Sequence, residues 1–344
     1  MKTAFPTMFV ALIALTTGCT GDADDGSDSD ADDDAAEALD GFSGRTFEAA
    51  SLPADVAPGD IVRHRAASVL VPSAGQGVTA EVLHADGSSD TIQVIVGGDG
   101  RVQVATDDAA IDTSPEPTAI LPDDLDEADP SLDADAASSP PRRCRDRRHN
   151  LLGYRWITSL DFSFKAKTTP HELTRDEAEA AIRRAGVNIV DADNRCGRAD
   201  HVSAKIHYLG RTQRGVNVTK DATCAAGDQH SVVAFRDFND SLSGVLAATC
   251  TYTVAAHDHF RTAVESDIRI ARTNFNWFVD GPCDPVKNPA KFSLEAVLTH
   301  ERGHSFGLAH VANSKLTMNP TISACSVQPS NLGKGDMLGL EVLY

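Results

Sequence analysis

Residues 298–310 read Leu298-Thr299-His300-Glu301-Arg302-Gly303-His304-Ser305-Phe306-Gly307-Leu308-Ala309-His310. Ser293 stands just upstream as an N-cap residue, so a helix is expected over Leu294–Ser305. On that helix His300 and His304 are four residues apart, which puts both imidazoles on one face, one turn from each other. Two nitrogens so placed reach a single zinc ion at about 2.0–2.1 Å. Gly307 tolerates a left-handed conformation, ends the helix, and lets the chain bring His310 round as a third donor. Three neutral imidazoles leave a fourth position for water, which marks a reactive zinc site rather than a closed structural one. Glu301, beside the first ligand, is then placed to take a proton from that water and hand it on. A bare H-E-x-x-H arises by chance; the added Gly and third His at fixed spacing make coincidence rare.

The pattern His300-Glu301-x-x-His304-x-x-Gly307-x-x-His310 resembles the zinc signature of the metzincins. Metzincins carry a Met-containing turn beneath the metal, and Met318 in Leu316-Thr317-Met318-Asn319-Pro320 is the candidate. At the end of the chain, Asp336, Gly339 and the pair Leu343-Tyr344 resemble the last helix of the matrixin branch, with Gly335 in place of the first Asp of that branch. The resemblance extends over Leu151–Tyr344. It implies an α+β (layered α/β) catalytic domain with a twisted mixed sheet, an active-site helix and a small C-terminal lobe. It also implies a zinc endopeptidase acting on protein or peptide substrates, with ligands His300, His304 and His310 and catalytic Glu301. The pocket beside the zinc would be shaped by residues around and after Met318, notably 321–329.

Several residues depart from the family pattern. Arg302 replaces a commonly apolar residue and is expected at the solvent. Val311 follows the third His where several branches carry a diagnostic residue. No Tyr follows Met318 by two places, so an extra Tyr ligand is absent. There is no convincing ligand set for structural zinc or calcium. The nearest cluster, His257-Asp258-His259, reads as an exposed loop, and calcium stays unsupported. His201 and His207 share an exposed strand face.

The N-terminus has the form of an export signal: Lys2, the apolar run Phe9–Leu15, then Thr16-Thr17-Gly18-Cys19. Small residues before Cys19 resemble a bacterial lipoprotein cleavage box, which makes Cys19 a lipidation candidate and the membrane a partner only through that anchor. Of the seven cysteines, six remain: Cys144, Cys196, Cys224, Cys250, Cys283 and Cys325. An even set in an exported protein suggests three disulfides. Fifteen pairings are open, and closure of nearest neighbours (144–196, 224–250, 283–325) is the expected one. Pro141-Arg142-Arg143-Cys144 loosely echoes a matrixin pro-segment in which a Cys blocks zinc; a disulfide at Cys144 is the expectation.

The net charge of −19 is unevenly spread. Residues 22–40 hold nine Asp and one Glu, residues 107–135 hold eleven acids, and neither tract holds a base. The rest of the chain is close to neutral, without a phosphate-neutralising surface, so nucleic-acid binding is excluded. The organisation read from this is a signal peptide (1–18), a disordered acidic tether (19–42), a small β-rich unit that is a candidate pro-region (43–106), an acidic, Pro-rich linker with a basic junction (107–148), and the metallopeptidase domain (149–344). A monomer, secreted or held at the cell envelope, is expected. Two alternatives stay open: a non-catalytic surface module with a structural zinc, and another zinc-dependent envelope hydrolase such as an amidase.

Overall fold

Short β-branched runs separated by Gly and Asp turns build the N-terminal half of the structure, a computed structural model that describes residues 44–107, 140–255 and 258–344. They form β1 (Thr46–Glu48), β2 (Ile61–His64), β3 (Ala67–Leu70), β4 (Gln76–His84), β5 (Ser89–Val96) and β6 (Val102–Thr106). The basic junction becomes a single turn, α1 (Arg142–Arg145), followed by β7 (Asn150–Leu151), β8 (Tyr154–Arg155) and β9 (Leu160–Phe164). Then come α2 (Arg175–Val190), β10 (Ile206–Arg211), β11 (Thr223–Cys224), β12 (Ser231–Phe235), β13 (Val245–Val254) and β14 (Arg261–Ile270). The chain closes with β15 (Asn276–Phe278), β16 (Lys291–Ser293), α3 (Leu294–Ser305), β17 (Leu308–Ala309) and α4 (Lys334–Leu343).

The main sheet runs β10-β9-β12-β14-β13-β4-β5-β6, with β8 paired to β14. Its first four strands are mutually parallel, and β13 turns antiparallel to β14. The crossover between parallel β9 and β10 is α2, whose start is fixed by a capping box between Thr174 and Glu177. Helices α2 and α3 are tied by Asn188, whose amide donates to Glu295 and to Thr299 at 3.1 Å each. Ala178, Ala181, Ile182 and Ala185 of α2 and Leu294, Val297 and Leu298 of α3 join Phe164, Val233, Phe235 and Ile268 of the sheet in one core. A second core under the C-terminal segment gathers Tyr154, Trp156, Phe306, Met318, Met337 and Leu340.

One expectation changes. The strands of 67–106 do not stand apart: β4 pairs antiparallel with β13 over most of its length, so one sheet continues from the C-terminal body into the N-terminal segment. Val78, Val82, Ile92 and Val94 belong to the same core as the helices, and the described residues fall in one compact unit. Strand β14 alternates charged with mostly apolar residues, yet Glu265, Asp267 and Arg269 lie inside as well as Ile268 and Ile270.

All six cysteines beyond residue 140 are paired, as Cys144–Cys196, Cys224–Cys250 and Cys283–Cys325. The third bond ties the segment before α3 to the segment after Met318. Cys144 is therefore not a free thiol at the metal site. Among the described residues no helix is long and apolar enough to cross a membrane. The signal sequence, Cys19 and both acidic tracts lie, almost whole, outside the described residues, as does His257.

Candidate active site

Helix α3 begins where Ser293 Oγ accepts from the Ala296 amide at 3.3 Å, as its sequence requires. Its last carbonyls have buried donors: Tyr154 Oη gives to His304 O at 2.7 Å and Trp156 Nε1 to Ser305 O at 2.8 Å. These satisfy groups that a helix end otherwise leaves open. Gly307 then turns with φ +93°, and a Cβ there would meet Tyr154 O at 2.3 Å, so the residue is fixed as Gly on both grounds. The turn returns His310 to the other two histidines.

The three imidazoles converge. His300 Nε2 and His304 Nε2 are 3.1 Å apart, and His310 Nε2 lies 3.1 Å from the first and 3.0 Å from the second. Tetrahedral zinc ligands of this kind stand about 3.3 Å from one another. The tautomers follow from the other ring nitrogens. His300 Nδ1 meets Thr317 O at 2.8 Å and His304 Nδ1 meets Leu308 O at 2.9 Å. Carbonyl oxygens only accept, so both Nδ1 atoms carry the proton and both Nε2 atoms offer lone pairs. His310 Nδ1 is 3.2 Å from Ser89 Oγ. Burial pulls the His300 pKa down to about 4, and burial and neighbouring imidazoles hold His304 and His310 well below 6.5, so all three are neutral at pH 7.

Two lone pairs and the Nε2 of His310 facing one another suit a cation between them. Two carboxylates at the same place suit it as well. Glu301 Oε2 accepts from Thr249 Oγ1, whereas Glu301 Oε1 has no hydrogen-bond partner among the described residues. Burial raises the Glu301 pKa to about 8. Glu81 of β4 lies with one oxygen 3.7 Å from His310 Nδ1 and the other 4.0 Å from His304 Nδ1. Its Oε2 accepts from Thr91 at 2.6 Å, and its Oε1 has no partner among the described residues. The donor set and the orphaned oxygens fit a divalent metal held by His300, His304 and His310.

Met318 lies under this cluster. A Cβ on Gly303 would stand 2.2 Å from Met318 Sδ, so the small residue in α3 is what admits the Met. The turn holding Met318 is pinned by buried Asp336 of α4, which accepts from the Thr317 amide at 2.8 Å and the Met318 amide at 3.1 Å. Through Thr317 O the turn orients His300.

Arg302 corrects an expectation. It is 0% exposed, not solvated. Its guanidinium lies over the Phe162 ring at 4.2 Å, near buried Asp267, on the sheet side of α3. Burial lowers its pKa to about 9. Asp258 of the second His/Asp cluster is bonded to Arg155 rather than gathered with histidines. Thr249, Glu81 and Ser89 escaped the sequence reading. They lie outside any motif, and the one hint was a Glu interrupting the apolar run 78–83.

The matrixin family model matches residues 229–344. This C-terminal segment is similar to the matrixin branch of the metzincins. The match begins just before β12 and takes in β13, β14, α3, the Met318 turn and α4, and so the three histidines, Glu301, Thr249 and Asp336, but not Glu81, Ser89, Tyr154 or Trp156. A matrixin segment of this kind belongs to a zinc metallopeptidase. No curated protein matches the chain.

Proposed function

We propose that the chain is a zinc-dependent endopeptidase in which His300, His304 and His310 hold the metal and Glu301 is the general base. The observation that carries this is the meeting of the three Nε2 atoms within 3.1 Å beside a carboxylate with one oxygen unpartnered among the described residues. Zinc, when bound, supplies a Lewis acid that makes water nucleophilic near neutral pH. Thr249 fixes one oxygen of Glu301 and leaves the other to take a proton from the attacking water and deliver it to the leaving amine. Burial excludes bulk water from the carboxylate and raises its proton affinity, which suits a group that must accept and then release a proton. A purely structural zinc site has no use for a buried carboxylate beside an open position.

The protein is exported, with Cys19 as its lipid anchor, and acts on protein or peptide substrates as a monomer. Three disulfides support an oxidising compartment. The test is Glu301→Ala in the zinc-loaded chain, assayed on a diverse peptide mixture, both intact and after a cut within residues 108–139. Zinc content should equal that of the wild type, while cleavage falls about 100- to 10,000-fold. Undiminished cleavage would overturn the assignment of Glu301. Cleavage of another bond type alone would point to a different envelope hydrolase.

A further inference from the structure

Strand β13 is the last strand of the main sheet that the C-terminal body supplies, and β4 lies on its outer edge. Thr249 of β13 touches Glu301, and the residue paired opposite Thr249 on β4 is Glu81. An extended peptide added to that edge would have its backbone beside the histidine cluster, as strand addition to a free sheet edge allows. The edge is already taken. The hairpin that takes it also crosses the cleft: Ala85 N donates to Gly244 O at 2.9 Å on the β13 side, and Thr321 Oγ1 donates to Gly87 O at 3.2 Å on the side after Met318. With β4 in place, His300, Glu301 and His304 are at most 1% exposed.

Covalent connectivity sets this strand apart from its neighbours. Residues 44–107 contain no cysteine, and the three disulfides all close within 144–325. A single cut in 108–139 would leave the segment held only by noncovalent contacts, while the body keeps every crosslink.

We propose that β4 is an internal occupant of the peptide-binding edge of β13, which keeps the site closed, with Glu81 as its anchor facing the histidines. Latency then resides in a strand and a carboxylate, and Cys144 has no part in it. This rests on the peptidase reading for its biological sense. The coverage of the metal site is tested separately from catalysis.

The experiment inserts a specific protease site within 108–139 of the full chain, loads it with zinc, cuts it, and separates the two pieces in mild urea. Zinc transfer to dipicolinic acid, a small chelator, and cleavage of a reduced, carboxymethylated protein are both followed. The separated body should stay folded, release zinc at least ten times faster than the intact chain, and cleave at least ten times faster. Adding back the 44–107 fragment should reverse both, and the same fragment with Glu81→Gln should need at least ten times the concentration. If the body unfolds on separation, β4 is an integral strand and the proposal fails. Unchanged zinc release and cleavage also overturn it. Equal potency of the Glu81→Gln fragment removes Glu81 as anchor. Faster zinc release with no cleavage by any form would uphold the cover and sink the peptidase reading instead.

Discussion

Helix α3 from Ala296 on and strand β14 from Glu265 on are buried, and both carry ionisable residues into the interior: His300, Glu301, Arg302 and His304 on the helix, Glu265, Asp267 and Arg269 on the strand. Their polar atoms end differently. On β14 the protein supplies the partners. Glu265 accepts from Asn217 and from the Gln229 amide, Asp267 accepts from the Val232 amide at 2.8 Å, and Arg269 donates to Val218 O at 3.0 Å and to Asp237 O. On α3 the Nε2 atoms meet only one another, and Glu301 Oε1 meets nothing among the described residues. Buried polar groups are normally satisfied, and the exceptions ask for an explanation. Each charged group of the strand is held by at least one protein partner, although Asp267 Oδ2 has none among the described residues; on the helix the open atoms converge on one point, as a bound metal would require.

Removing one imidazole should therefore separate function from fold. His304→Ala should lower peptide cleavage by about four orders of magnitude or more, with loss of zinc seen by metal analysis. The metal-free variant should still fold, with a urea midpoint below that of the metal-free wild type only by what the lost ring packing and the Nδ1 bond to Leu308 O account for. A variant that keeps zinc and activity would break the distinction drawn above.

The mirror experiment is Asp267→Ala on β14. It removes the acceptor of the buried Val232 amide and a carboxyl group near the buried Arg302 guanidinium, and a buried donor left unsatisfied costs about 1–3 kcal/mol. The urea midpoint should drop accordingly. Pairing the change with Arg302→Met should recover part of the loss, because two well-packed apolar groups can replace a buried pair at little cost. An additive double variant would show that the two groups are not coupled.

The two regions should also differ in the sign of their pH dependence. In the metal-free chain, His300 titrates at about 4 when folded and at about 6.5 when unfolded. The unfolded chain binds more protons in that window, so stability holds above pH 6.5 and is lost as pH falls toward 4, by on the order of 3 kcal/mol. Burial raises Asp267 well above its ordinary value, so the folded chain binds more protons there and stability is lost as pH rises through the unfolded value. Comparing the metal-free wild type with His300→Gln, and separately with Asp267→Asn, isolates each slope. Slopes of equal sign would overturn the contrast.

What the sequence made legible follows the same division. The span of α3, its cap at Ser293, the three histidines, Met318 and the terminal helix could be read because metal geometry demands fixed spacings and helix ends demand particular residues. The burial of β14 could not, since its alternation of charged and apolar residues reads as a strand with one face in water, whereas Glu265, Asp267 and Arg269 are inside and meet partners remote in sequence. Arg302 was misplaced for a related reason: a cation is buried when an aromatic ring and a carboxylate from other strands meet it, and those are remote in sequence. The union of β4 with β13 was also hidden. Both strands have strand character, but nothing local says which edge pairs with which.

The smallest predicted effect tests where the two kinds of buried polarity touch. Thr249 belongs to the sheet, yet its hydroxyl donates to Glu301 Oε2 on the helix. That hydrogen bond stabilises the carboxylate and opposes the upward push of burial. Thr249→Val keeps the shape and removes the donor, a loss of about 1–1.5 kcal/mol, or about tenfold in cleavage. Glu301 should then hold its proton to higher pH, so the acidic limb of the pH–rate profile moves up while zinc content and fold stay as they were. Thr249→Ser restores the donor and should restore the profile. An unshifted limb in the Val variant would mean that Thr249 only fills space, and that Glu301 is positioned by α3 alone.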